Sequence, residues 1–129
     1  MPAIAALNLY ETTISTGTVA MNPQGLDSQN IAKWLESAAA SYAGARVLTI
    51  QTKLPKSGGS VARVTGKVAY PLVDALTPPT KLAEGYCQFE FVLPTIMTAT
   101  QRAKLYFNAL SAMNLANVAN AVAYLESSY

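Results

Sequence analysis

The chain has 129 residues, room for one ordinary domain and not for two, and 51% of them are apolar against 12% charged, which excludes a disordered chain. The net charge is only +2, the single cysteine, Cys87, excludes an intrachain disulfide, and the lack of histidine removes the commonest general base near neutral pH. No apolar run approaches the ~20 residues needed to span a bilayer, and the Met-Pro-Ala-Ile-Ala-Ala start has no basic leader region, so folding in a cytoplasm is expected.

Read in chain order, the first part is β. Ala6–Thr13 puts Leu7 and Leu9 on one side and Asn8 and Tyr10 on the other, because strand side chains alternate with a period of two. Ser15-Thr16-Gly17 turns the chain into Thr18–Met21, which gives an N-terminal hairpin, and Asn22-Pro23-Gln24-Gly25 reads as a second turn. Ile31–Ser37 is open between strand and helix, since Ile31 and Trp34 suit a strand while the Ala-rich continuation to Ala40 suits a helix. Arg46–Leu54 then alternates, with Thr49, Gln51 and Lys53 facing one way and Leu48, Ile50 and Leu54 the other. Pro55–Ser60 is a glycine-rich hairpin loop. Val61–Tyr70 answers with Arg63, Thr65 and Lys67 on one side, and with Ala62, Val64, Val68 and Tyr70 on the other, where Gly66 leaves a gap. Thr77, Pro78, Pro79 and Thr80 sit in an expected loop of about a dozen residues, longer than ordinary hairpin connections and of a kind that is often functional. Residues 86–94 form the next strand, with Tyr86, Gln88 and Glu90 on the polar side and Cys87, Phe89, Phe91 and Leu93 on the apolar side, where Cys87 reads as a small buried hydrophobe.

After Pro94 the period becomes helical. Thr98 and Gln101 have the spacing of a capping box, and Ala103, Tyr106, Phe107, Leu110 and Met113 follow on one face. A break near Asn114 leads to Leu115, Val118, Val122 and Leu125, a second amphipathic stretch. The expected fold class is α+β: an antiparallel β-meander with an N-terminal hairpin (about 3–94) and two C-terminal helices (about 98–127), all in one domain over 1–129. Two helices are scant cover for five or six strands, so an obligate homodimer that interleaves helices and extends the sheet is expected. In that arrangement Trp34, Phe89, Phe91, Tyr106, Phe107, Leu110 and Met113 are core or dimer-interface residues.

Charge is distributed unevenly. From Glu36 to Asp74 no acid intervenes, while Arg46, Lys53, Lys56, Arg63 and Lys67 all lie in that interval. Three polar strand faces carrying these cations make a surface suited to an anionic polymer, although exposed lysines also serve to protect strand edges. Enzyme chemistry has no foothold: there is no G-x-S-x-G, P-loop or dinucleotide fingerprint, and no cluster of ligands with metal spacing. No cofactor, metal, membrane or small-molecule substrate is expected.

Ile31-Ala-Lys-Trp34, the strands at 46–54 and 61–71 with the second ending in Pro71, Tyr86-Cys-Gln-Phe-Glu-Phe-Val-Leu-Pro94, and a closing helix pair before a Ser-Tyr terminus occur in a specific order. In these landmarks the chain resembles the coat proteins of small single-stranded RNA bacteriophages, the leviviruses, whose corresponding segments read V-A-E-W and Y-x-N-x-E-x-x-x-P. The resemblance runs over most of the chain. It departs at Gln88, where the pattern has Asn, and before Arg46, where about two residues are added.

The resemblance implies a dimer interlocked through its helices and an icosahedral shell around RNA. It also implies a virion location, after assembly in the host cytoplasm. Its RNA-facing positions fall on Thr49, Gln51, Lys53, Arg63, Thr65, Lys67, Tyr86, Gln88 and Glu90, on the inner face of the sheet. There Lys and Arg neutralise phosphates, Tyr86 stacks on a base, and Gln and Thr read base edges or the 2′-hydroxyl. The same face is implied for an RNA hairpin that represses replicase translation, and the loop at Thr77–Thr80 for contacts between dimers. The alternative is a dimeric RNA-binding module or translational repressor that does not assemble.

Overall fold

The computed structural model describes residues 5–13, 16–37, 43–75 and 80–125. Six strands form one sheet in simple sequential order: β1 (Leu7–Thr13), β2 (Thr16–Leu26), β3 (Ile31–Glu36), β4 (Val47–Lys53), β5 (Val61–Val73) and β6 (Lys81–Pro94). Two helices follow, α1 (Ala99–Met113) and α2 (Ala116–Tyr124). The chain divides into two compact units, 1–92 and 93–129.

In the sheet unit, alternation decides burial. Leu7 pairs with Met21, Pro23 with Trp34, Trp34 with Leu48 and Leu48 with Val68, so these side chains share one face across five strands. Val19, Met21, Ala32, Trp34 and Leu48 are its buried centre, with Leu7, Leu9, Ile50 and Val68 packed against them. Trp34 also donates its indole N–H to the Ala5 carbonyl at 2.9 Å, tying Ala5 to the core. Ile31–Glu36 is therefore strand, because Ala32 and Trp34 need a period of two to reach that core together.

Several boundaries differ from those the sequence suggests. Asn22-Pro23-Gln24-Gly25 is not a turn; β2 runs through it to Leu26, and its register against β3 slips between Pro23 and Gly25. A bulge is where a strand tolerates proline, and Gly25 adopts φ +100°, which favours glycine. The turn itself comes at Asp27–Asn30, where the Asp27 carboxylate accepts the N–H groups of Gln29 and Ile31. Strand β5 passes through Pro71 to Val73, beyond its last pairing with β4 at Ala69, so the proline interrupts no bond to β4. The loop expected to span about a dozen residues is consequently shorter, running from Asp74 to Thr80. Leu54, expected on the apolar side, lies past the end of β4 and is 77% exposed. Cys87 is exposed, not buried.

Gly66 explains the gap in the apolar row of β5. A Cβ on this residue would come within 2.7 Å of Phe89 Cε2, with two other ring atoms nearer still. The Phe89 ring occupies the space a side chain would need, and it meets Phe91 edge-to-face at 6.0 Å between centroids. Gly66→Ala is expected to cost about 1–3 kcal/mol by overpacking, and Phe89→Leu in the same background to recover part of it. Urea unfolding checks this, and an unchanged midpoint for Gly66→Ala would contradict the packing.

In the helical unit, Thr98 caps α1 with a capping box: its hydroxyl accepts the Gln101 N–H at 3.2 Å, and the Gln101 side chain accepts the Thr98 N–H at 2.9 Å. Neither helix buries a residue. Phe107 is 61% exposed, and Tyr106, Leu110, Met113, Leu115 and Val122 are exposed as well. No helix among the described residues is long and apolar enough to cross a membrane.

Candidate nucleic-acid interface

The opposite face of the sheet carries the polar side chains. Register puts Lys33, Thr49 and Lys67 in one row across β3, β4 and β5, and Ile31, Gln51 and Thr65 in the next. Lys53 and Arg63 are directly opposite each other beyond them. Like charges in that position repel, and the Glu90 carboxylate paired with Arg63 offsets part of that repulsion.

Strand β6 completes the face. Lys67 Nζ stands 4.4 Å above the Tyr86 ring, and Arg63 Nη1 donates to Glu90 Oε1 at 2.7 Å. Residue numbers rise along β5 as they fall along β6 in these two contacts, the order of an antiparallel pair. Both members of the Arg63–Glu90 pair are about half exposed, so the pair contributes little to stability and the guanidinium stays accessible. Thr49, Gln51, Thr65, Lys67 and Gln88 surround a recess of about 220 Å³, with Ile31 and the Gly66 backbone completing its wall. The Gln51 amide N–H donates to the Gln29 carbonyl at 2.8 Å, which fixes the side chain and turns its oxygen away from that bond.

Arg46 does not belong to this face. It lies on the core side, its backbone N–H and guanidinium both near the Glu36 carboxylate, with the guanidinium 4.5 Å above the Tyr70 ring. A run of basic residues in sequence is split between two faces by the strand period. Lys33 joins the face without a clear sequence signal, because the pattern of Ile31–Ser37 suits helix and strand alike and alternation does not give its register against Thr49.

Acids moderate the surface. Glu84 pairs with Lys81, and the Lys81 hydrogen bond, reinforced by the positive charges of Lys81 and Lys67, holds its carboxyl below the usual carboxylate range. Glu84 is therefore a fixed negative charge through neutral and mildly acidic pH. Of the loop residues, Thr77, Pro78 and Pro79 lie outside the described residues. Thr80 closes the loop base, donating its N–H to the Asp74 carboxylate at 2.9 Å and accepting the Asp74 N–H at 3.0 Å. Among the described residues no group of His, Cys, Asp and Glu is arranged to hold a metal ion.

Residues 2–129 match the family model for levivirus coat proteins. The chain belongs to the levivirus coat protein family. Membership makes it a bacteriophage capsid protein, a structural component and not an enzyme. Three solved structures show the same fold for this coat protein. The virus-like particle of Beihai levi-like virus 21 has a TM-score of 0.88 at 22% identity, covering 99% of both chains. The capsid protein of bacteriophage GA gives 0.76 at 17% identity over 95% of each. An unassembled bacteriophage coat protein described as an RNA-binding dimer gives 0.68 at 21% identity over 97% of each. Comparison with curated protein sequences gives no match.

Proposed function

We propose that two copies of this coat protein interlock through their helices into a dimer, that dimers close into an icosahedral shell around single-stranded RNA, and that the RNA lies on the polar face of β4, β5 and β6. The observation that carries the RNA reading is the opposed Lys53–Arg63 pair beside the Thr49–Lys67 row, with the exposed Tyr86 ring next to it as a stacking platform. The dimer reading rests on helices whose apolar residues are exposed within one chain. A relative with this fold has been solved as an RNA-binding dimer and others as virus-like particles. In this reading Thr49, Gln51, Thr65 and Gln88 contact bases or 2′-hydroxyls, while Lys53, Arg63 and Lys67 contact phosphates and Glu90 orients Arg63. Thr80, with the loop before it, meets neighbouring dimers. The shell forms in the host cytoplasm and the mature location is the virion.

Expression of the chain alone in bacteria tests the assembly. The expected result is closed particles in electron micrographs that protect host RNA from nuclease. A uniform small dimer that binds an RNA hairpin without closing would establish the non-assembling repressor instead. Arg63→Ala with Lys67→Ala is expected to reduce the RNA recovered per particle and flatten its salt dependence, while the melting temperature stays close to wild type, since surface substitutions cost within about 0.5 kcal/mol. Unfolding of this double variant would assign both residues a structural role.

A further inference from the structure

A second, larger recess of about 510 Å³ adjoins the first across the wall made by Ile31, Thr49 and Lys67. Its lining includes the apolar Val47 and Ala69 and the charged Lys33, Lys67 and Glu84. Gly25, at the β2 bulge, forms the far wall; with φ +100° and no side chain, it keeps the recess open on that side. No carboxylate among the described residues pairs with Lys33, nor with Lys53 or Lys67 on the same face, whereas Arg46, Arg63 and Lys81 each have one.

We infer that this recess holds one nucleotide of the bound single-stranded RNA, with its phosphate on Lys33 and its nucleoside over Val47 and Ala69. The inference rests on the RNA reading above and extends it from β4–β6 onto β3. Three features set the orientation. The fixed carboxylate of Glu84 repels a phosphate from its part of the recess, and Lys67, shared with the smaller recess and lying over the Tyr86 ring, serves the phosphate there. The unpaired ammonium of Lys33 is left as the phosphate site. The two recesses are centred about two residues apart along β4, roughly 6.8 Å at strand rise, a spacing a splayed strand can follow with successive nucleotides.

The test is binding of a short fluorescein-labelled single-stranded RNA of mixed sequence to the purified full-length protein, over a range of KCl concentrations. One phosphate contact on a single strand contributes about 0.7 to the slope of log K against log salt. Lys33→Ala and Lys33→Gln should each flatten the slope by about that amount, with weaker binding to all sequences alike. Lys33→Arg should retain the wild-type slope. Wild-type slopes in both neutral variants, alongside a flattened slope in Arg63→Ala with Lys67→Ala, would overturn this inference and leave the RNA face standing. A wild-type protein with no salt-dependent RNA binding would overturn both.

Discussion

Replacing Trp34 with alanine is expected to destabilise the chain by about 3–5 kcal/mol, the range for truncating a large buried aromatic. Three effects combine. The ring is 8% exposed and lies in the row between Pro23 and Leu48, so its removal opens a cavity at the centre of the core. Its apolar contacts are lost on both sides. The Ala5 carbonyl also loses the indole N–H that satisfies it. A native domain has only about 5–15 kcal/mol in reserve, so this single change removes a large share. Trp34→Phe separates the contributions: it keeps most of the packing and loses the hydrogen bond, at about 0.5–1.5 kcal/mol. Urea unfolding followed by circular dichroism is the appropriate measurement, because Trp34 is the only tryptophan and its loss removes the fluorescence signal. An unchanged midpoint for Trp34→Ala would mean that the β1–β5 core is organised around something else.

Phe107→Ala is expected to have the second large effect, by a different route. Within one chain Phe107 is 61% exposed and touches Tyr106 edge-to-face at 5.5 Å, so truncation should cost the isolated chain little. If a second copy covers the helices, the ring becomes buried, and a two-fold interface loses it twice. Aromatic anchors at interface centres typically carry 2 kcal/mol or more each. The expected outcome is a dimer that dissociates on dilution where wild type does not, and a melting temperature that depends on protein concentration. Analytical ultracentrifugation across a dilution series reads this directly. Equal dimer stability in Phe107→Ala and wild type would remove the ring from the interface.

The parts of the fold that were legible in sequence are those where one rule acted alone. Leu48–Gln51 in β4 and Arg63–Val68 in β5 alternate, and a glycine-rich loop joins the two strands, so the side each of these residues takes follows from the period of two. The Thr98–Gln101 box and the stripe of apolar residues after it marked α1 in the same way. Legibility failed where two rules competed. Pro23 and Gly25 are turn residues by type, yet they sit in a strand because a bulge satisfies both. Lys33 was hidden because alanines after Glu36 favour a helix while Trp34 requires a strand.

The candidate site divides likewise. Alternation grouped Thr49, Gln51 and Lys53 with one another, and Arg63, Thr65 and Lys67 likewise, but register between strands is a tertiary fact. Only register puts Lys53 opposite Arg63 and makes Lys33, Thr49 and Lys67 one row. Alternation groups Cys87 with Phe89 and Phe91 and suggests burial, yet Cys87 is exposed. Period gives a residue's face, whereas burial depends on what covers that face, and in a single chain Cys87 is uncovered. The helices teach the same lesson on a larger scale: their apolar stripe is evident from spacing, and their partner is not.

Ultraviolet crosslinking of RNA inside purified particles, followed by mass spectrometry of the adducts, locates the RNA on the protein. Crosslinked peptides are expected from 47–53, 61–73 and 81–94, with Tyr86 among the modified residues. Crosslinks confined to the helices at 99–124, with β4, β5 and β6 unmodified, would contradict that placement.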